Sequence, residues 1–388
     1  MKVGFLFNHD QAHQVAHALP VALALRREYP EVEVIVATTN SRLTDEVRRL
    51  SARLDEPIHV EQLGLRSRTT RALSHAFETI LPIAKIGMYR DNLDFFRSLD
   101  ALVVTEKTSL LLKTRYHLDL KIIHTRHGAG DRAIGFNKAS AGFDHVLVSG
   151  TKIRDRLVRD AGVAPEKLST VGYPKFDLMP DPAPRLTFQA NGKPTVLYNP
   201  HPSPHLSSWY KEGRAVLDTF LNDDRFNLIF APHVMLFHRS FTVTIDRLRV
   251  DRPGTIDRRY HDAPNILIDL GSAASTDMTY TAAADIYLGD VSSQIYEFLY
   301  RPRPCIFLNS QHVDWRGDPN YAHWQAGEVI DNVADLRGAL DRALADPNRY
   351  RDAQQDLFAR SFELTEEASS VRAARAIMAV LGAKGVEP

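Results

Sequence analysis

Residues 289 to 309, GDVSSQIYEFLYRPRPCIFLN, contain in short form the pattern that recurs along this chain. The apolar run that ends at Gly289 predicts a buried strand, SSQIYEFLY predicts a helix, and PCIFLN predicts a second buried strand. Pro302 and Pro304 precede the second strand, where they interrupt no ladder hydrogen bond. Buried strands that alternate with helices are typical of a parallel sheet with helices on both faces.

The same alternation covers most of the 388 residues, in two series. Between the series, residues 179–194 are rich in proline and polar residues and have no hydrophobic period, which is typical of a linker. We therefore predict an α/β protein with two facing Rossmann-like, doubly wound parallel-sheet domains and a cleft between them. The expected boundaries are 1–180 for the first domain, 181–194 for the linker, 195–360 for the second domain, and 361–388 for C-terminal helices that pack back on the first domain.

The composition excludes several classes of protein. Equal numbers of basic and acidic residues, 48 of each, leave no long-range field that would favour a nucleic-acid partner. No window approaches the roughly 20 apolar residues of a membrane span, and the apolar start of the chain is too short for a secretory signal. We expect a cytoplasmic protein whose single cysteine, Cys305, is a buried thiol. The basic and apolar segment 66–90 predicts either a helix packed on the first sheet or a peripheral contact with the inner face of the cell membrane.

Most candidate functional residues stand where a predicted strand ends, which is the edge at which doubly wound sheets bind their ligands. They are Asn8 and His9, His127 and Gly128, the segment Gly172–Tyr173–Pro174, Asn199 and His201, His233, and the turn from Asp290 to Ser293. His13 and His17 follow His9 at intervals of four, so a helix would place the three rings on one face. No carboxylate or cysteine completes a metal site there, and we expect neither a metal nor a cofactor.

Two of these loops predict chemistry. Ser292 and Ser293 begin the helix of the opening stretch, and free N–H groups at a helix start favour a phosphate; simple capping of the helix is the alternative. His127 precedes a glycine and could take a proton from a hydroxyl at neutral pH; an ordinary loop histidine is the alternative. The chain has no G-x-G-x-x-G at a strand–helix turn, no G-K-[ST] and no H-E-x-x-H, so dinucleotide, P-loop and zinc-protease functions lose support.

Four motifs in order resemble the CDP-glycerol glycerophosphotransferase family, which builds teichoic-acid-like and capsular polymers on a glycosyltransferase-B architecture. They are RHGAGD (126–131), GYPKFD (172–177), APH (231–233) and GDVSSQIYEF (289–298). Arg126 stands where that family has tryptophan, and Val234 follows His233 where the family has proline. The resemblance covers about residues 110 to 310 and leaves open which CDP-alditol, or which nucleotide sugar, is the donor.

The resemblance implies transfer of glycerol phosphate, or a related alditol phosphate, from a CDP-activated donor to a hydroxyl of a polymer or lipid-linked acceptor, with release of CMP. It implies that His127 is the general base and that His233 holds the donor pyrophosphate or stabilises the leaving nucleotide. Further donor-binding residues are expected at Asp290, Ser292, Ser293, Glu297, Gly172, Tyr173, Pro174, Asn199 and His201. On the acceptor side we expect His9, His13, Arg126 and Gly128.

Two alternatives stay open. A nucleotide-sugar glycosyltransferase or a UDP-sugar 2-epimerase-like enzyme would use the same architecture, although an epimerase is expected to have a Ser-Gly-Gly turn where this chain has DVSSQ. The chain could also be a nucleotide-binding or assembly protein that has the fold without catalysis.

Overall fold

The structure is a computed structural model that describes residues 1–9, 12–65, 83–126, 128–238, 241–244 and 249–382. His127 and most of the segment 66–90 therefore lie outside the described residues. The chain divides into two compact units. Unit 1 consists of Met1–Ala129, Phe136–Leu178 and Arg360–Pro388, and unit 2 consists of Gly130–Gly135 and Met179–Ala359.

Unit 1 is built on a seven-stranded parallel sheet. Its strands are β1 (Lys2–Phe7), β2 (Glu33–Thr38), β3 (Val60–Gln62), β4 (Ala101–Val104), β5 (Lys121–Thr125), β6 (His145–Val148) and β7 (Leu168–Thr170). The strand order is β3-β2-β1-β4-β5-β6-β7, and every pair is parallel. The direction of winding reverses between β1 and β4, so the loops after these two strands flank a topological switch point.

The described helices of unit 1 are α1 (Leu19–Glu28), α2 (Ser41–Arg53), α3 (Ile83–Asp91), α4 (Leu93–Arg97), α5 (Leu111–Thr114), α6 (Thr151–Ala161) and, at the end of the chain, α13 (Ser369–Val380). Residues Ala12–His17 form a 3-10 helix. Strands β4 and β6 are buried along their whole length, because Val, Leu and Ala side chains meet helices on both faces of the sheet.

Unit 2 is built on a six-stranded parallel sheet. Its strands are β8 (Thr195–Asn199), β9 (Asn227–Phe230), β12 (Ile266–Ile268), β13 (Ile286–Gly289), β14 (Cys305–Leu308) and β15 (Glu328–Ile330). The order β12-β9-β8-β13-β14-β15 places the switch point between β8 and β13. A separate antiparallel hairpin is formed by β10 (Thr242–Thr244) and β11 (Arg249–Asp251).

The described helices of unit 2 are α7 (Trp209–Leu221), α8 (Arg258–His261), α9 (Thr279–Ala283), α10 (Gln294–Phe298), α11 (Leu336–Ala345) and α12 (Arg351–Ser361), whose last two residues belong to unit 1. The predicted α/β class with two Rossmann-like parallel sheets is confirmed. Cys305 is buried, as the sequence predicted. No helix in the described ranges is long and apolar enough to cross a membrane.

Candidate functional site

Three loops meet at the switch point of unit 2. Strand β8 pairs with β9 on one side and β13 on the other, with Asn199 opposite Gly289 and Tyr198 opposite Phe230. The segments that follow these strands, 200–208, 231–238 and 290–293, therefore leave the sheet side by side. This is the edge at which a doubly wound sheet binds its ligand.

Asp290 holds two of these loops together. One carboxylate oxygen accepts from the backbone N–H groups of His201 (2.9 Å) and Val291 (2.6 Å), and the other accepts from the N–H (2.7 Å) and the hydroxyl (2.9 Å) of Ser208. Burial raises the pKa of Asp290, while these hydrogen bonds act in the opposite direction. Asp290 is 1% exposed, so its carboxylate is enclosed by the two loops that it connects.

The segment Gly130–Gly135 joins unit 2 through Asp131. The Asp131 carboxylate accepts from the Tyr296 hydroxyl (2.7 Å) and from both the backbone N–H (3.1 Å) and the Nδ1 (2.9 Å) of His323. The other ring nitrogen of His323 lies 3.0 Å from the Asp290 carbonyl oxygen, which also accepts from Trp324 Nε1 at 2.7 Å. These buried side chains form a continuous polar chain from residue 131 to the turn after β13.

This attachment brings Arg132 to His201, whose ring lies near that of His233. Arg132 Nη1 lies 3.2 Å from Nε2 of His201, and the rings of His201 and His233 have their centroids 6.2 Å apart. Nδ1 of His201 accepts from the backbone N–H of Ser203 (3.0 Å), and Nδ1 of His233 accepts from that of Met235 (3.3 Å). Because its Nδ1 accepts, the neutral ring of His233 carries its proton on Nε2 and is a donor there.

The electrostatics of this group favour an anion. Burial lowers the pKa of His233 to about 4. Burial, with the nearby charges of His233, Arg132, His205 and His323, lowers the pKa of His201 well below its ordinary value. Both rings are therefore neutral at pH 7, and an anion beside them would stabilise both the guanidinium and any proton that the rings gain. We call Arg132, His201 and His233 the switch-point group.

The serine turn makes hydrogen bonds within unit 2, and its role as a phosphate site stays a prediction. Ser292 is 2% exposed and its hydroxyl donates to Asn199 Oδ1, while the Asn199 amide donates to the Ala231 carbonyl at 2.6 Å. Buried hydrogen bonds of Asn199 and Ser292 thus connect the three loops where they leave the sheet. Ser293 is exposed. Helix α10, which follows Ser293, has only five residues, so the dipole of this helix is small and the turn does not provide the N-terminus of a long helix. Positive charge at this edge comes instead from the switch-point group.

The other residues expected on the donor side lie in different units of the chain. Glu297 is a buried residue of α10 in unit 2. Gly172, Tyr173 and Pro174 belong to unit 1, where Tyr173 is 3% exposed and packs against Phe176 and Phe362. The Tyr173 N–H donates to Ser369 Oγ of α13 at 3.0 Å. These contacts of Tyr173 stabilise unit 1, and the role of Gly172, Tyr173 and Pro174 in donor binding stays a prediction.

The residues expected on the acceptor side all lie in unit 1. Asn8 and His9 follow β1, and His9 Nε2 lies 2.5 Å from the Thr105 hydroxyl beyond β4. Arg126 follows β5, and Gly128 has φ 85°, a left-handed conformation that glycine adopts readily.

The expected single helical face of His9, His13 and His17 is wrong, because Ala12–His17 is a 3-10 helix with a period of three residues. His17 instead contacts the Tyr173 ring, with the centroids 5.4 Å apart. Among the described residues, no group of three or more His, Cys, Asp or Glu side chains could hold a metal ion.

Sequence reasoning missed Asp131, Arg132, Tyr296 and His323. The acid–base pair Asp131–Arg132 directly after the glycines of 128–130 was a usable local signal. His323 had none, because it lies in a 3-10 helix, Pro319–Ala326, far along the chain from its partners.

Comparisons with known proteins agree with the fold. The two parallel sheets with their Rossmann-type strand order are those of glycosyltransferase-B enzymes. The chain is similar to Staphylococcus aureus MnaA in a co-structure with UDP, with a TM-score of 0.66, 15% identity, and coverage of 100% of this chain and 98% of that one. It is also similar to a putative UDP-N-acetylglucosamine 2-epimerase from Listeria monocytogenes (TM-score 0.63, 13% identity, coverage 100% and 98%).

A further similar structure is the wall teichoic acid polymerase TagF soaked with CDPG (TM-score 0.62, 13% identity, coverage 98% and 88%). No protein-family model and no curated protein matches the sequence. At these identities the likeness establishes the fold, and function has to be argued from the site.

Proposed function

We propose that this chain is a transferase that moves glycerol phosphate, or a related alditol phosphate, from a CDP-activated donor to a hydroxyl of a polymer or lipid-linked acceptor and releases CMP. The observation that carries the proposal is the switch-point group. It places a guanidinium and two imidazoles at the position in a Rossmann-like sheet where nucleotide phosphates bind.

Two members of the group, Arg132 and His233, have roles suited to a diphosphate. Arg132 supplies a charge that is permanent at neutral pH, and the Nε2–H of His233 is a donor for a phosphate oxygen. In the reaction an acceptor oxygen attacks the phosphorus on the alditol side, the bond from that phosphorus to the bridging oxygen breaks, and the electron pair leaves on CMP. Donors fixed beside the departing phosphate stabilise this charge, and removing one such donor typically costs about 10²–10³ in kcat.

The acceptor proton needs a base, and the resemblance of RHGAGD assigns this role to His127. Imidazole at neutral pH suits removal of a proton from a hydroxyl, and general-base catalysis contributes about 10²–10⁴ in rate. We therefore expect His127→Ala to lose CMP release while it keeps donor binding. Unchanged turnover in this variant would contradict the assignment.

The second candidate is a UDP-sugar 2-epimerase-like enzyme. Its support is the fold likeness over 98% of the chains of both MnaA and the Listeria protein. The same nucleotide site would serve it, so the donor has to be identified by binding.

The deciding experiment is a thermal-shift panel of CDP-glycerol, CDP-ribitol, CMP and UDP-N-acetylglucosamine. A ligand that binds only the folded state raises Tm, by an amount that grows with its concentration relative to Kd. We expect stabilisation by the CDP compounds and its loss in Arg132→Gln, with Arg316→Gln as a matched surface control. Selective stabilisation by the UDP-sugar would replace the transferase with the epimerase-like function.

A further inference from the structure

The short segment that carries Arg132 is attached to the rest of unit 2 on both sides of this residue. Before Arg132, the Asp131 carboxylate accepts from the backbone N–H and the Nδ1 of His323. After it, the Ala133 N–H donates to Asn320 Oδ1 at 2.9 Å. Because both attachments are to the same 3-10 helix, Arg132 lies alongside the two residues between Asn320 and His323.

Tyr321 is one of these two residues, and it interacts with Arg132. The charge of Arg132 acts on the pKa of Tyr321, and the phenol acts in turn on the pKa of Arg132. The ring of Tyr321 packs against that of Trp324, with the centroids 4.9 Å apart. Trp324 is 2% exposed and its Nε1 donates to the Asp290 carbonyl at 2.7 Å, so Tyr321 packs on a side chain that is itself fixed.

The hydroxyl of Tyr321 is available to a ligand, whereas its polar neighbours are hydrogen-bonded to one another. Asp318 Oδ1 accepts from the backbone N–H and the side-chain amide of Asn320, each at 2.8 Å. Both ring nitrogens of His323 also have partners. Tyr321 is half-buried, and its hydroxyl forms no hydrogen bond with any other residue that the structure describes. Burial and the charge of Asp318 raise the pKa of Tyr321, so the hydroxyl is protonated at neutral pH and is a donor.

The strand order places Tyr321 and His233 on opposite sides of His201. His233 follows β9 and His201 follows β8, whereas the 3-10 helix that contains Tyr321 follows β14. These strands lie in the sheet in the order β9, β8, β13, β14. Arg132, which contacts His201, stands beside Tyr321 at the β14 side of this row. A diphosphate at the switch-point group would therefore have one phosphate towards His233 and the other towards Tyr321.

We propose that Tyr321 binds the transferred part of the donor: its hydroxyl donates to a non-bridging oxygen of the phosphate that is transferred, and its ring contacts the carbon chain of the alditol. This inference rests on the proposed function, in which His233 serves the phosphate of the departing CMP. Hydrogen bonds to a phosphate oxygen are stronger than those between neutral groups. Charge spreads over these oxygens in the transition state of phosphoryl transfer, so the bond from the phenol persists while the phosphorus moves to the acceptor.

The test compares CMP with CDP-glycerol by calorimetry on the full-length protein, because only CDP-glycerol carries the transferred phosphate and the alditol. We expect Tyr321→Phe to weaken CDP-glycerol binding about tenfold, since a hydrogen bond to a charged group is lost, and to leave CMP binding unchanged. Tyr321→Leu, which also removes the ring, should weaken CDP-glycerol binding further and again leave CMP binding unchanged. Retained CMP binding shows that both variants are folded.

Tyr350→Leu is the matched control, because Tyr350 is another half-buried tyrosine of unit 2 and lies near the amino end of β14. It should leave both affinities unchanged. A loss of equal size for CMP and CDP-glycerol in Tyr321→Phe would show that Tyr321 supports the whole loop, and the proposal would be wrong. Unchanged CDP-glycerol binding in that variant would overturn it as well, as would equal affinity of the wild-type protein for the two ligands.

Failure of the proposed function gives a different result. If UDP-N-acetylglucosamine binds and CDP-glycerol does not, the transferase function is wrong, and the same variants are titrated with UMP and UDP-N-acetylglucosamine. A loss confined to the UDP-sugar then supports the position of Tyr321 at the second phosphate of a nucleotide donor, whereas an equal loss with UMP contradicts it. If none of these nucleotides binds, both proposals are wrong.

Discussion

At the scale of single residues, His233 links the site to pH. Its pKa is about 4 in the folded protein because the ring is largely removed from water, against an ordinary value near 6.5 in the unfolded chain. Above pH 6.5 the ring is neutral in both states. As pH falls from 6.5 to 4, the ring binds a proton in the unfolded chain but not in the folded protein, so the free energy of unfolding decreases through this range.

We expect this single ring to cost up to about 3 kcal/mol of stability between pH 7.5 and pH 4, since each pKa unit corresponds to about 1.4 kcal/mol. His233→Gln should flatten the dependence of the urea midpoint on pH over the same range. The matched control is His238→Gln, an exposed histidine five residues along the chain. A midpoint with the same pH dependence in wild type and His233→Gln would contradict the argument.

Tyr296 is the second residue whose role can be isolated. Its buried hydroxyl donates to Asp131, which also receives two N–H groups of His323. Tyr296→Phe removes one donor from a buried carboxylate while it keeps the ring. We expect a loss of about 1–3 kcal/mol in the free energy of unfolding. Tyr300→Phe, at a side chain that is 41% exposed, should change it by less than about 0.5 kcal/mol.

At the scale of elements, Gly172 shows how the turn after β7 accepts α13. Gly172 has φ 80°, and a Cβ there would lie 2.4 Å from Ser369 Oγ and 3.0 Å from the Glu363 carbonyl oxygen. Gly162, at the end of α6, has φ 66° and open space around the same position. Both glycines therefore adopt a left-handed backbone conformation, but only at Gly172 would an added Cβ clash with neighbouring atoms.

Gly162→Ala should lower the free energy of unfolding by about 1 kcal/mol, because a residue with a side chain is strained in the left-handed region. Gly172→Ala should cost the same amount plus the displacement of α13 from the turn, about 2–4 kcal/mol in total. Urea unfolding followed by circular dichroism measures both. Equal losses in the two variants would show that α13 moves aside without cost.

The elements also show what the sequence could and could not predict. Apolar runs such as those ending at Val104 and Gly289 predict buried parallel strands, because both faces of such a strand are covered. The serines after Gly289 predicted a longer helix than the five residues of α10. The length of a helix depends on where tertiary packing ends it, and the sequence of a short amphipathic run does not predict that end.

At the scale of the whole molecule, the chain enters unit 2 twice, at residue 130 and again at residue 179. The sequence analysis placed residues 130–135 in the first domain. High proline content and the absence of a hydrophobic period indicate a linker only where the connection is long, and this segment is short. What assigns this segment to unit 2 is its contact with Tyr296 and His323, which follow Asp131 by 165 and 192 residues. Local pattern cannot report partners at such separations. This explains why the switch-point loops on unit 2 were foreseen and Arg132 was not.

The end of the chain belongs to unit 1, where α13 packs against α1 and buries Ile377 completely. All three tryptophans, Trp209, Trp315 and Trp324, lie in unit 2. Tryptophan fluorescence therefore reports on unit 2, whereas far-ultraviolet circular dichroism reports on both units. This separation allows the effect of α13 on its own unit to be measured in the intact chain.

Ile377→Ala leaves a cavity between α13 and the rest of unit 1, and we expect it to remove about 2–5 kcal/mol from the stability of that unit. The circular dichroism transition should move to lower urea, while the fluorescence transition should move much less. Arg375→Ala on the same helix removes a surface ion pair with Glu367 and should cost no more than about 1 kcal/mol. If fluorescence and circular dichroism shift together by the full amount in Ile377→Ala, the two units unfold as one, and the stability of the switch-point group then depends on a helix at the far end of the chain.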